Sequence, residues 1–407
     1  MKPNAFSVSS LNALSLASLA WGLLTVYIVT VAPYIANIFD ISLSAALTVS
    51  LLYFSPRLLV SIPTARLIRA FGYLVVHRLS TLLVAFFFGL FVFSIAIEQF
   101  WLLLCSTFFL GSAACACQVV GFPLISLTGD STKSTQRQRY ASAWNGLGNV
   151  IAPLLIGASI WIAPIVGSDS ILISTVIAGG LITSYMVVLF IISCQTEFSI
   201  QRSDASYTSP QGNNNYRQLL TNGGFLLSLV MLLFGWGLES GMGTMVVAVF
   251  QDESIANRLL GYEVIATSLY WVFIFFGRLF ISRFGKNWSA ESVISLFSMM
   301  GIVITSLFLV LELPFIALLV TLLGLCHAGL YPNLYALSLN KSGPHLSQAG
   351  ALITMCSIGN AIIPLSQSFL VEAIGLKFSF VLPLTLYTSI FFFINYSNLT
   401  KERPLIT

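Results

Sequence analysis

The sequence predicts an all-α polytopic membrane protein, with twelve transmembrane helices in two pseudo-symmetric six-helix bundles. Three observations lead there. Hydrophobic residues make up 57% of the 407 positions and Asp, Glu, Lys and Arg only 8%, whereas a soluble chain carries roughly 25% charged residues. So few charges cannot cover a water-facing surface. Apolar stretches of about 20 residues recur along the chain, each long enough to cross a bilayer as a helix. They are continuously apolar, without the alternation of a membrane barrel. Finally, one unusual phrase is written twice: Leu147–Gly157 reads LGNVIAPLLIG and Ile358–Gln367 reads IGNAIIPLSQ.

The first six spans are expected at 12–36, 42–64, 78–97, 100–126, 139–165 and 170–194. The first run has no small-residue cleavage site and continues to full spanning length, so it reads as a helix rather than a signal peptide. The second contains Pro56 followed by a basic residue, Arg57. The fourth carries Gln118 and Phe122-Pro123, and the fifth opens with the first copy of the repeated phrase. The longest polar break, 195–220, is rich in Ser, Asn, Gln and Gly and reads as a flexible connector. This gives an expected division into 1–195, a cytoplasmic linker at 196–220, and 221–407. Six further spans are expected at 222–250, 261–281, 289–312, 314–338, 346–373 and 377–396. The seventh contains Glu239, and the eleventh opens with the second copy of the phrase.

Lys and Arg set the orientation. With the N-terminus inside, fifteen of the eighteen, Arg278 among them, fall on the cytoplasmic side and two, Arg258 and Lys377, outside. Arg57 lies within a span. Both termini are therefore expected in the cytoplasm, with the chain in the inner membrane. The basic residues sit beside a bilayer, so the net charge of +4 does not point to nucleic acid. The six cysteines form no C-x-x-C pair and read as small apolar-segment thiols. No metal or cofactor is expected, and neither a zinc-protease motif nor a phosphate-cradling loop is present.

The repeat extends beyond one phrase. Gly148 and Gly359 are 211 residues apart, and other matches share nearly that offset. Trp21-Gly22-Leu23 parallels Trp236-Gly237-Leu238. Leu110-Gly111 with Phe122-Pro123 parallels Leu323-Gly324 with Tyr331-Pro332. Arg66-Leu67 and Phe71-Gly72 parallel Arg278-Leu279 and Phe284-Gly285. Two parallel six-span halves are the arrangement of major facilitators, in which substrate sites lie near the membrane midplane.

The stretch from Cys117 to Gly157 resembles the fucose:proton symporter family, which includes bacterial glucose/galactose transporters. The resemblance rests on Gln118, Gly121-Phe122-Pro123 and Ser142-Ala143-Trp144-Asn145-Gly146-Leu147-Gly148-Asn149. It rests further on Gly237-Leu238-Glu239, Tyr270-Trp271 with Gly277-Arg278, and Gly359-Asn360-Ala361-Ile362-Ile363-Pro364-Leu365-Ser366-Gln367. It implies the major facilitator fold and sugar transport coupled to protons. The chain departs from the family pattern at four places. Val29 stands where span one usually has the Asp implicated in proton coupling. Ser142 replaces a Gln, Arg69 an Asp, and Arg57 an aromatic.

Polar groups inside a membrane are costly and usually functional. Glu239 is the one carboxylate placed deep in a span, where it reads either as a protonatable coupling group or as half of an interhelical ion pair. Gln118 and Asn145 lie at similar depth in adjacent spans, and Ser142, Asn145 and Asn149 share one helical face. Amides both donate and accept, which suits sugar hydroxyls; they also serve to tie helices together. Trp21, Trp144 and Trp236 are candidates to stack on a sugar ring or to fill the core. His327 and Asn360 are candidates from the tenth and eleventh spans. Arg57 reads as snorkelling to the interface, as recognition of an anion, or as the partner of Glu239.

The reading is thus a secondary transporter for a small polar solute, a monosaccharide first, with protons as the coupling ion. An organic anion or metal-chelating carboxylate is the alternative solute, and export the alternative direction. A non-transporting receptor or scaffold on the same fold is the reading from another class.

Overall fold

The computed structural model describes residues 9–41, 43–129, 133–162, 171–196, 216–251, 263–311, 317–343 and 345–401. Most of the expected connector, together with Lys2, Arg202, Arg258 and Arg403 from the charge count, lies outside them. The described residues form α1 (Ser10–Ile38), α2 (Leu43–Phe54), α3 (Pro56–Phe71), α4 (Tyr73–Ala96), α5 (Phe100–Leu127), α6 (Ser134–Ile162) and α7 (Ile171–Gln195). After the connector come α8 (Tyr216–Thr221), α9 (Gly223–Gln251), α10 (Glu263–Phe284), α11 (Ala290–Val310), α12 (Ala317–Lys341), α13 (Leu346–Met355), α14 (Gly359–Ile374) and α15 (Val381–Lys401).

Among the described residues, eight spans are long and apolar enough to cross a membrane on length and composition alone. The other four are the α2–α3 pair, α6, α10 and α12, which carry many of the polar side chains discussed below. Two of the twelve spans are interrupted. Pro56 has no N–H to give, so α2 stops and α3 begins at that point. A 3-10 turn at Cys356–Ile358 separates α13 from α14. The α3–α4 joint is a single residue, Gly72 at φ 81, a backbone region that L side chains rarely adopt.

The chain divides into two compact units, one made of α1–α7 with α13 and the other of α8–α12 with α14 and α15. The same packing recurs in each. In the first, α1 packs on α6, α2 on α5, and α4 on α5 and α7. In the second, α9 packs on α14, α10 on α12, and α11 on α12 and α15. In the first unit, α13 also packs on α3 and α5. A β-carbon on its Gly350 would lie 3.0 Å from Pro123 and 3.3 Å from the Val119 carbonyl. That carbonyl has no helical donor because Pro123 lacks an N–H.

The doubled phrase marks a helix crossing. Lipid tails are as apolar as leucine, so helices in a bilayer associate through close packing and polar contacts. At Gly148 of α6, a β-carbon would collide with the Leu19 carbonyl of α1; at Gly22 of α1 it would collide with the Asn145 carbonyl. In the second unit, Gly359 of α14 abuts the Leu233 carbonyl of α9, and Gly237 abuts Ile363 and the Gly359 carbonyl. The two matching glycines in the fourth and tenth spans mark a second crossing. Gly111 presses on the Tyr53 carbonyl and Gly324 on the Tyr270 carbonyl.

These contacts predict a selective cost. Gly148→Leu or Gly359→Leu should destabilise the protein by about 1–3 kcal/mol through overpacking. Gly180 of α7 has nothing within 4 Å of an added β-carbon, so Gly180→Leu should stay within about 0.5 kcal/mol of the parent. Thermal unfolding in detergent reads the difference, and equal stability of all three variants would contradict the crossings.

Candidate functional site

Glu239 lies sixteen residues into α9 and twelve from its end, near mid-membrane at about 1.5 Å per residue. Its partner is Arg278 of α10, whose Nη2 donates to both carboxylate oxygens at 2.6 and 2.7 Å. The Arg278 side chain is fully buried and that of Glu239 is 13% exposed. The guanidinium also lies over the Tyr331 ring, 5.2 Å from its centroid. The sequence reading had assigned Arg278 to the cytoplasmic charge excess. Instead, α10 continues to Phe284, six residues further, and the guanidinium turns inward to the carboxylate. The counter-ion of Glu239 is therefore Arg278, and the partnership suggested for Arg57 is replaced by a pair within the second unit.

His327 of α12 is buried beside this pair. Its Nδ1 faces the Tyr270 hydroxyl at 2.8 Å and its Nε2 faces the Tyr387 hydroxyl. Tyr270 donates its single hydroxyl proton to the Glu239 carbonyl at 2.7 Å. It can therefore only accept from His327, which places a proton on Nδ1. In the neutral ring, Nε2 then accepts from Tyr387. One chain of hydrogen bonds thus ties α9, α10, α12 and α15 together, and both ring nitrogens are engaged within the protein.

The first unit uses its amides similarly. Asn145 Nδ2 donates to the Ser18 carbonyl of α1 at 3.1 Å. The Asn149 amide nitrogen, turned towards α1, reaches the Gly22 and Asn145 carbonyls at 3.2 Å. These bonds sit at the glycine crossing, so the Gly-Asn phrase supplies both close approach and polar contact. The counterpart Asn360 accepts at its main-chain carbonyl from Ser240 at 3.0 Å. Ser142, on the same face of α6, is buried with a hydroxyl that has no partner.

Trp21 covers Gly121 and meets Phe122 edge-on at 4.8 Å, one turn beyond Gln118, which is buried on α5. Trp236 packs against Tyr331 at 5.6 Å in the second unit. Trp144 is half-buried and borders Tyr140. The structure thus brings Trp21, Asn145 and Asn149 together at the α1–α6 crossing and places Gln118 beside it. It gathers Trp236, Glu239 and His327 around Tyr331 and Tyr270.

Arg57 is 1% exposed, which excludes snorkelling to the interface. Its Nη1 donates to the Tyr53 carbonyl at 2.7 Å, and its guanidinium lies 4.9 Å from the Tyr53 ring centroid and 4.6 Å from that of Phe54. Residues missed in the sequence include Tyr53, Tyr270, Tyr387 and Gln367. Gln367 is fully buried with both amide atoms lacking partners. Its signals in the sequence were its place in the second copy of the phrase and in the motif that carries the family resemblance.

Removing one partner from a buried ion pair strands the other charge, at a cost of about 3–5 kcal/mol, whereas replacing both with apolar groups is often neutral. Arg278→Met should therefore be strongly destabilised. The double variant Glu239→Met, Arg278→Met should recover most of the loss, as read by thermal unfolding. A double variant no more stable than the single one would show that the pair is not energetically coupled.

Comparison with known proteins places these contacts in context. A sequence profile described as the Major Facilitator Superfamily matches residues 13–364. The glucose/galactose transporter of Brucella abortus biovar 1 (strain 9-941) is 22% identical over 392 residues, covering 94% of this chain and 93% of that protein. Among solved structures, the superfamily transporter FucP in its outward conformation superposes with a TM-score of 0.80 at 14% identity, covering 95% of this chain and 98% of that one. The proton:xylose symporter XylE bound to 6-bromo-6-deoxy-D-glucose gives 0.72 at 12% identity, covering 95% and 94%. At such identities the structural likeness speaks for the fold alone. The profile spans most of the chain, and the helix crossings recur in both units: the chain belongs to the Major Facilitator Superfamily.

Proposed function

We propose that this protein is a secondary transporter that moves a monosaccharide across the inner membrane by alternating access, driven by protons. The observation that carries the reading is the Glu239–Arg278 pair, a carboxylate deep in its span held by one fully buried guanidinium. Such charges in a membrane interior are expensive unless they serve transport. The sugar rests on the relative named a glucose/galactose transporter, and the proton on the names of FucP, a fucose:proton symporter of E. coli, and XylE.

In this reading Gln118, Ser142 and Trp144 are the first unit's solute-binding groups, and Asn145, its amide nitrogen given to the Ser18 carbonyl, holds α6 in place beside them. Ser142 keeps a free hydroxyl for a sugar, and Trp144 is half-buried and offers a ring face. We assign the two halves to 1–195 and 221–407, joined by a connector at 196–220, with both termini in the cytoplasm.

Coupling follows from the ion pair. While Arg278 holds Glu239, both carboxylate oxygens are taken up by the guanidinium. In the proposed cycle, a conformation that parts them frees those oxygens to carry the proton. Val29 cannot titrate, so the proton travels on Glu239.

The test is uptake into proteoliposomes of radiolabelled hexoses and organic acids, with and without an imposed pH gradient. Glu239→Gln keeps the shape and an acceptor for Arg278 but removes titration. It should exchange sugar down a gradient at rates near the parent and lose uphill accumulation. Undiminished proton-driven accumulation in Glu239→Gln would exclude Glu239 as the carrier, and uptake of no sugar by the parent would remove the sugar reading.

A further inference from the structure

The two units each bury one arginine against aromatic rings, yet among the described residues only one of these arginines has an acid. Arg278 lies over Tyr331 and is neutralised by Glu239. Arg57 lies over Tyr53 and Phe54 at the same depth of burial, but among the described residues no carboxylate lies within ion-pair distance of it. One backbone carbonyl and two ring faces screen a full positive charge only in part. An uncompensated ion in a low-dielectric interior is costly.

The groups around it are donors without acceptors. Arg57 Nε, the Tyr53 hydroxyl and the Ser50 hydroxyl are all buried and have no hydrogen-bond partner. They stand at positions i, i+3 and i+7, the spacing of one helical face. The α2–α3 interruption does not break this register, because Ser55 keeps helical angles of φ -60 and ψ -34. The face therefore presents, over two turns, a serine hydroxyl, a phenol and a guanidinium edge. The Ser61 hydroxyl, one turn further, is already committed to the Arg57 carbonyl at 2.6 Å and adds nothing to the set.

We propose that Ser50, Tyr53 and Arg57 form a binding site for the carboxylate of an acidic monosaccharide, a hexuronate-type solute. This rests on the sugar-transporter reading above and narrows its substrate class. A carboxylate carries one negative charge, equal and opposite to that of Arg57, and its two oxygens can accept from a guanidinium and from a neighbouring hydroxyl. A phosphate ester carries about −1.5 to −2 at neutral pH, which would leave excess negative charge buried. A neutral hexose satisfies the hydroxyls but leaves the arginine uncompensated.

The experiment uses the full-length protein in proteoliposomes and measures competing uptake of radiolabelled glucose, galactose, glucuronate, galacturonate and glucose 6-phosphate, with inorganic phosphate as a competitor. Either hexuronate should be taken up at least about tenfold better than its parent hexose. Loss of a charged hydrogen-bond partner should lower the uronate-to-hexose ratio about 30-fold in Arg57→Gln. Tyr53→Phe keeps the ring under the guanidinium and should lower the ratio several-fold; it carries the test if Arg57→Gln does not fold. The ratio separates recognition from structural damage, which would lower uptake of both solutes together. Hexoses carried without any preference for uronates would overturn the acidic-sugar assignment and leave the sugar reading standing. Preference for glucose 6-phosphate, or competition by inorganic phosphate alone, would overturn the carboxylate assignment, as would a ratio unchanged in both variants. Uptake of none of these solutes would sink both readings.

Discussion

Hydrocarbon offers no hydrogen bonds, so every polar group that enters it must find its partner inside the protein. The backbone meets this demand by forming helices. The side chains meet it at helix crossings, and the pattern of their success and failure carries the functional content. Asn145 and Asn149 spend their amides on α1 carbonyls. Tyr270, His327 and Tyr387 close a chain that ends on the Glu239 carbonyl. Serine and threonine hydroxyls largely fold back on their own helix, as Ser61, Thr107 and Thr305 do. Against this background, buried groups that remain unpartnered stand out, among them Arg57 Nε, the Ser50, Tyr53 and Ser142 hydroxyls, and both ends of Gln367.

Duplication explains much of the architecture. A backbone carbonyl beneath a glycine is the closest helix approach available, and it recurs at Gly148 and Gly359 and again at Gly111 and Gly324. Glycine at these points is a steric requirement of the crossing, so both halves of a duplicated chain share it. The chemistry layered on the crossings has diverged. Asn149 reaches across with its amide, whereas Asn360 accepts through its main chain from Ser240. The scaffold is symmetric where van der Waals contact demands it and asymmetric where the charges sit.

That asymmetry is electrostatic. The second unit holds a compensated pair, and the first holds in Arg57 a buried cation with no carboxylate at ion-pair distance among the described residues. The carboxylate held by a buried guanidinium is the group through which the proposed function routes the proton. An unpaired cation beside free donors suits recognition of an anion. The two units thus divide coupling and binding between them in the function proposed for the chain.

Composition and periodicity were enough to determine the membrane, the helical class, the number of spans and the internal repeat. Those properties depend on the solvent and on length, and hydropathy reads both directly. The repeated Gly-Asn-Pro phrase identified the fifth and eleventh spans as equivalent, because close crossings tolerate few residue types. Tertiary structure alone decided which polar residues are spent and which remain. The sequence placed Arg278 with the cytoplasmic charges, since its distance from an uncertain helix end could not be judged; continuation of α10 to Phe284 and the inward turn of the guanidinium made it the partner of Glu239. His327 and Asn145 looked equally suited to a solute or to a neighbouring helix, because the chemistry of donor and acceptor is the same in both roles. Only the position of a carbonyl or a tyrosine hydroxyl on another helix, brought near by packing rather than by sequence distance, distinguishes them.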